Sequence, residues 1–145
     1  MQSRININQL EPKSIKAMMG LETYLVETDV EPKLRQLIKI RASIINNCAY
    51  CIQMHTEESK RLGESDQKLY AVAAWKESPL FTEKERAVLK LTDEVTLVSV
   101  HVLTEATYLE SAKHLGEQVL AQCLMQIVTI NAWNRIAVAT KMMHK

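Results

Sequence analysis

A chain of 145 residues, 47% hydrophobic and 24% charged, has the size and composition of one ordinary globular domain with a real core. A formal net charge of +1, with acidic and basic residues interspersed, leaves no basic stripe for nucleic acid and no cationic face for an anionic membrane. Three cysteines, one close pair and one distant single, do not form a secreted disulfide framework and point to a reducing, cytoplasmic compartment.

The first residues, Met1 to Asn8, alternate polar and apolar side chains and lack the continuous apolar core of a signal peptide. Only three Gly and three Pro punctuate the chain, which predicts long helices joined by short turns. After a short extended arm, Pro12 opens a helix through about Glu27, with Ile15, Met18, Met19 and Leu25 inside. Asp29 and Pro32 begin a second, in which Leu34, Leu37, Ile38, Ile40, Ile44 and Ile45 repeat at helical spacing. A third runs from about Cys48 to Leu62 and stops at Gly63. Asp66 begins a short helix through Trp75, and Ser78-Pro79 breaks the chain.

Thr82-Glu83-Lys84-Glu85 reads as a capping box for a helix reaching about Val98, and Thr104 caps another that ends near Gly116. The last helix, roughly Glu117 to Met142, is apolar almost all round. Such a helix is central in its domain or buried between subunits, and in a domain this small it favours a homo-oligomer. Its least charged stretch, Gln118 to Asn134, is interrupted by Gln122, Gln126, Thr129 and Asn131, too polar and too short for a membrane span. The expectation is an all-α fold, a single domain over residues 1–145.

The chemistry concentrates at Asn47-Cys48-Ala49-Tyr50-Cys51-Ile52-Gln53-Met54-His55. Cys48 and Cys51 are three apart, Cys51 and His55 four apart, so on a helix all three project to one side. Asn46 and Asn47 tolerate turn and left-handed conformations, which puts Cys48 at or just inside a helix N-terminus. Backbone N–H groups and the helix dipole there favour a thiolate. In such positions cysteine pKa values fall to about 3.5–7.5 from roughly 8.5. The motif reads as a reactive dithiol with a resident base. Two other readings stand beside it. The cysteines can be small core residues. Alternatively Cys48, Cys51 and His55 supply three zinc ligands, although Cys123, His101, His114 and His144 are scattered singly and no clustered fourth ligand offers itself.

The motif resembles the signature of the alkylhydroperoxidase D-like, or carboxymuconolactone decarboxylase-like, family. Similar segments flank it: Leu37 to Ser43 before it, Trp75 to Ala87 after it, and Ile130 to Arg135 near the end. The resemblance runs from about Leu34 to Ala139 and implies an all-helical subunit with the CxxC opening a central helix, often assembled as trimers or hexamers. It implies thiol-dependent peroxidase or disulfide-reductase activity with no cofactor and no metal. In that pattern Cys51 attacks the hydroperoxide, Cys48 resolves the product into a disulfide, and His55 belongs to a proton relay with Tyr50 as a further member. The electron donor it implies is a thiol protein of lipoyl or thioredoxin type.

One position departs from the family pattern. Its relay has a glutamate twelve residues before the first cysteine, where this chain has Gln36. An amide hydrogen-bonds but cannot act as a base. Glu94, in an otherwise apolar helical segment, is the candidate substitute, or else a partner for Arg41 or Arg135. Two other functions stay open: a decarboxylase or lactone-acting enzyme of the same fold, and a non-catalytic redox sensor whose relay Gln36 has weakened. Trp75 and Trp133 read as packing anchors, with lining of a substrate channel as the alternative. Cys123 reads as core, His101 as a structural or subunit-contact residue or one approaching the site, and Asn131, Asn134 and Arg135 as a buried polar network or subunit contact.

Overall fold

Proline and glycine set where the helices begin and end. The computed structural model describes residues 2–143, so that His144 lies outside the described residues. Pro12 opens α2 (Pro12–Val26) and Pro32 opens α3 (Pro32–Ile45), each at a first-turn position that needs no N–H. A single-turn α1 (Ile7–Leu10) precedes them where the sequence suggested an extended arm. Asn6 makes the difference, its side chain accepting from the Gln9 N–H at 3.2 Å. Then come α4 (Ala49–Arg61), α5 (Asp66–Ala71), a 3-10 turn (Val72–Glu77), α6 (Glu83–Thr96) and α7 (Glu105–Thr140). Every regular element among the described residues is helical. The fold is all-α, as expected.

The predicted stops hold. Gly63 after α4 has φ 80°, and Gly116, at φ 74° and ψ 161°, breaks α7 where two helices were anticipated. The Thr82–Glu85 capping box is present in both directions. The helix expected through Trp75 ends sooner. The Val72 and Ala73 carbonyls accept from the Arg41 guanidinium, and Ala74 leaves helical geometry at φ −121°.

Helix α3 is central and packs against α4, α6 and α7, while α6 and α7 pack along each other. Leu37, Ile38 and Ile40 of α3 meet Val88, Leu89 and Leu91 of α6 and Leu120, Ile127 and Ile130 of α7, all buried. Burying each such side chain contributes about 1.5–3 kcal/mol. Cys123 sits in the same core, where burial pushes its thiol up to about 12. It is a core residue, inert as a nucleophile near neutral pH.

Two polar clusters tie the helices. Asp93 accepts from Arg41 Nε at 2.5 Å and Nη2 at 3.2 Å, and from Trp75 Nε1 at 3.2 Å, which makes Trp75 the anchor it was read as. Arg41 therefore pairs with Asp93 and not with its neighbour Glu94. At the end of α3, Asn46 donates to Asn131 Oδ1 at 2.9 Å and Asn134 Oδ1 at 3.0 Å, and Asn134 donates to Ser43 Oγ at 2.9 Å. Arg135 reaches the Asn131 carbonyl at 2.9 Å. This network clamps α3 to α7 immediately before the dithiol. His101 is exposed in the segment joining α6 to α7. No helix among the described residues is long and apolar enough to cross a membrane.

Candidate active site

The clamp at Asn46 decides where α4 starts. Asn47 turns the chain through the left-handed region at φ 54°, which asparagine tolerates better than most residues. Cys48 follows as the N-cap of α4, its sulfur accepting from the Cys51 N–H at 3.4 Å. Cys48 and Cys51 are joined by a disulfide across a Cα–Cα distance of 5.3 Å. Each is only 2% exposed, so reagents reach either sulfur through the cavities beside it.

His55 stands one turn beyond Cys51 on the same face, and it is buried. Its Nδ1 lies 3.0 Å from Oε2 of Glu58, a half-buried carboxylate three residues on, which leaves Nε2 as the ring nitrogen available to the cavity. Burial holds the imidazole below its ordinary pKa, against the pull of the Glu58 hydrogen bond. Glu58 itself is held below the usual carboxylate range, chiefly by that bond from His55, with a smaller contribution from the Gln36 side chain. Gln36 comes across from α3, buried, its Oε1 without a partner among the described residues. The amide thus serves Glu58 as a neutral neighbour, where a carboxylate would repel it.

Two cavities flank the disulfide. The first, about 340 Å³, is lined by Cys51, His55, Glu58, Lys39 and Glu22 between apolar walls that include Met19, Met54 and Trp133. Lys39 Nζ lies 3.8 Å from Glu22 Oε2, and Trp133 Nε1 donates to Glu22 Oε1 at 2.9 Å. Trp133 is therefore both a packing anchor and a wall of the site. The second cavity, about 320 Å³, is lined by Cys48, Asn47, Val138 and Lys141. Tyr50, Ala137 and Met142 border both.

The structure thus places Cys48, Cys51, His55 and Tyr50 around the two cavities, while Gln36, near the start of α3, lines neither and bears on the site through Glu58. It does not bring Glu94 there. The Glu94 carboxylate accepts from the Thr104 N–H at 2.8 Å and from Thr107 Oγ1 at 2.6 Å, tying the end of α6 to the start of α7, and it lines neither cavity. The reason lies at the next helix: Thr104 is the N-cap of α7, and a carboxylate satisfies the unpaired donors there. The carboxylate beside His55 is Glu58, legible in principle as an i, i+3 partner on one helix. Lys39 carries no comparable signal, since only the packing of α3 on α4 brings it to the cavity. Among the described residues no group of three or more His, Cys, Asp or Glu side chains is arranged to hold a metal ion.

The profile of the carboxymuconolactone decarboxylase family matches residues 12–94, from the start of α2 to near the end of α6. The chain belongs to this family. The carboxymuconolactone decarboxylase match takes in Gln36, both cysteines of the pair, His55 and Glu58. Among relatives, the chain is similar to the uncharacterized protein YdfG of Bacillus subtilis (strain 168), 34% identical over 139 residues, or 96% of this chain and 95% of YdfG. Among solved structures it is similar to a protein of unknown function from Agrobacterium tumefaciens ascribed to AhpD-type antioxidant defence. That match has TM-score 0.97 and 38% identity, and covers 99% of each chain. The debrominase Bmp8, at TM-score 0.85 and 20% identity over 94% of this chain and 74% of its own, shares the fold.

Proposed function

We propose that this chain is a thiol-dependent hydroperoxide reductase that cycles between the dithiol and the Cys48–Cys51 disulfide. The observation that carries the reading is the pair itself: a disulfide capping α4 whose Cys51 shares a cavity with a buried His55–Glu58 couple. In the reduced state the neutral imidazole accepts the Cys51 proton at Nε2, and Glu58 stabilises the imidazolium that forms. The Cys51 thiolate attacks one peroxide oxygen and the O–O bond breaks. The leaving alkoxide takes the proton from His55 and departs as alcohol. Cys51 is left as sulfenic acid; Cys48 displaces its hydroxyl as water, and the disulfide closes. An external dithiol returns two electrons by thiol–disulfide exchange. A lipoyl- or thioredoxin-type protein donor belongs to this proposal, as does assembly of several copies, which the exposed Met125 and Val128 on α7 support.

The test is a thiol count. The fully reduced protein, given one equivalent of tert-butyl hydroperoxide, is expected to lose two of its three thiols and to retain buried Cys123. Thiols that persist in excess peroxide overturn the reading.

The relay makes a further prediction. Glu58 holds the His55 pKa up against burial, so Glu58→Gln lets it fall further. The acid limb of the oxidation rate then moves to lower pH. The rate at neutral pH falls on the order of tenfold, because the imidazolium formed on the way loses its counter-ion. A pH–rate profile of thiol oxidation reads both effects. Gln36→Glu is expected to bring no gain, since two carboxylates in contact force one of them to keep its proton. A rise of about tenfold would instead show a relay crippled by the amide.

A further inference from the structure

The disulfide is a partition between two cavities of unlike charge. Cys51 borders the first and not the second; Cys48 borders the second and not the first. Among the described residues, the first sets Glu22 and Glu58 against the single cation Lys39, with His55 held below its ordinary pKa. In the second, the charged side chain among the described residues is Lys141. We propose that the two half-reactions use opposite faces: the hydroperoxide reaches Cys51 through the first cavity, and the reducing thiolate reaches Cys48 through the second. The oxidative half of this assignment rests on the peroxidase reading. The reductive half needs only the disulfide.

Charge and stereochemistry both favour this division. A hydroperoxide is neutral and indifferent to two carboxylates in its cavity wall. The attacking species in thiol–disulfide exchange is an anion, which Glu22 and Glu58 repel and Lys141 attracts. Displacement at sulfur also proceeds in line, with the incoming thiolate opposite the leaving sulfur. Approach through the second cavity therefore forms a bond from the donor sulfur to Cys48 Sγ and breaks the Cys48–Cys51 bond. Cys51 leaves as a thiolate on the side of His55 and regains its proton there. The donor's second thiol, as thiolate, then displaces Cys48. The donor ends as a disulfide and the protein as a dithiol, ready for the next peroxide.

The experiment measures the two half-reactions separately on the full chain. Oxidised protein is reduced by dithiothreitol, and reduced protein is oxidised by tert-butyl hydroperoxide, with free thiols counted against time. Val138→Trp, which fills the second cavity, is expected to slow reduction by about tenfold and leave peroxide oxidation near the parent rate. Met54→Trp, filling the first, should do the reverse. Lys141→Glu should slow reduction severalfold at low ionic strength, with the deficit shrinking as salt screens this exposed charge. Independently, oxidised protein treated with 2-mercaptoethanol and quenched with iodoacetamide should carry the mixed disulfide on Cys48 and the alkyl group on Cys51. The mixed disulfide on Cys51, or a Val138→Trp protein slowed equally in both directions or in neither, overturns the assignment. A parent that ignores peroxide sinks the peroxidase reading alone. Its disulfide, formed with diamide, still reports which face the thiol uses.

Discussion

Cys51→Ser is expected to abolish peroxide-driven thiol oxidation, a loss on the order of a thousandfold or more, as when the nucleophile of any covalent mechanism is removed. Cys48→Ser should behave differently. It keeps the nucleophile and its base, so one peroxide is consumed per chain and the reaction stops at Cys51 sulfenic acid, which a dimedone adduct and its mass reveal. The contrast matters because two influences compete at this motif. Cys48 is the N-cap sulfur and accepts the Cys51 N–H, which favours its thiolate. Cys51 has His55 one turn away in a cavity that opens on it. Nucleophilic attack needs access and a proton acceptor as well as a thiolate, and Cys51 has both in one place. Sulfenic acid accumulating on Cys48 in the Cys51→Ser protein would reverse the roles.

Asp93→Ala is expected to cost about 3–5 kcal/mol of stability, because it leaves a partly buried guanidinium without its anion and a buried indole N–H without its acceptor. Asp93 joins α3, the 3-10 turn and α6, through Arg41 and Trp75. Arg41 lies on the helix that also carries Gln36 and Lys39 into the site, so the damage should reach the dithiol. Urea unfolding of the reduced protein measures the first effect, and the peroxide half-reaction measures the second. A loss below about 1 kcal/mol would place Arg41 and Asp93 among solvent-screened pairs that contribute little.

Much of this architecture was legible along the chain. Helix limits were written locally, in Pro12 and Pro32, in the Thr82–Glu85 box, and in Gly63 and Gly116 at positive φ. The i, i+3 and i, i+4 relations of Cys48, Cys51 and His55 also lie within one helix, so spacing alone put them on one face. Errors arose where a residue's partner came from elsewhere in the fold. Glu94 looked available from its apolar neighbours, yet Thr104 and Thr107, ten and thirteen residues away, claim its carboxylate. Trp133 left two roles open, anchor and channel wall, and only the packing of α2 and α4 around it shows that it fills both. The helix through Trp75 was cut short by Arg41, a donor from α3.

The sequence by itself determined that the protein is helical, where most of its helices begin and end, and that two thiols and an imidazole share the first turns of one of them. Those properties depend on backbone geometry and neighbours within four residues. Tertiary structure decided that Glu94 is drawn to the start of α7, that Gln36 attends Glu58, that Cys123 is inert, and that the two sulfurs open on cavities of different charge. These depend on which helices are packed against one another. Packing brings α2, α3 and α7 around α4, and burial then sets how strongly each charge is felt.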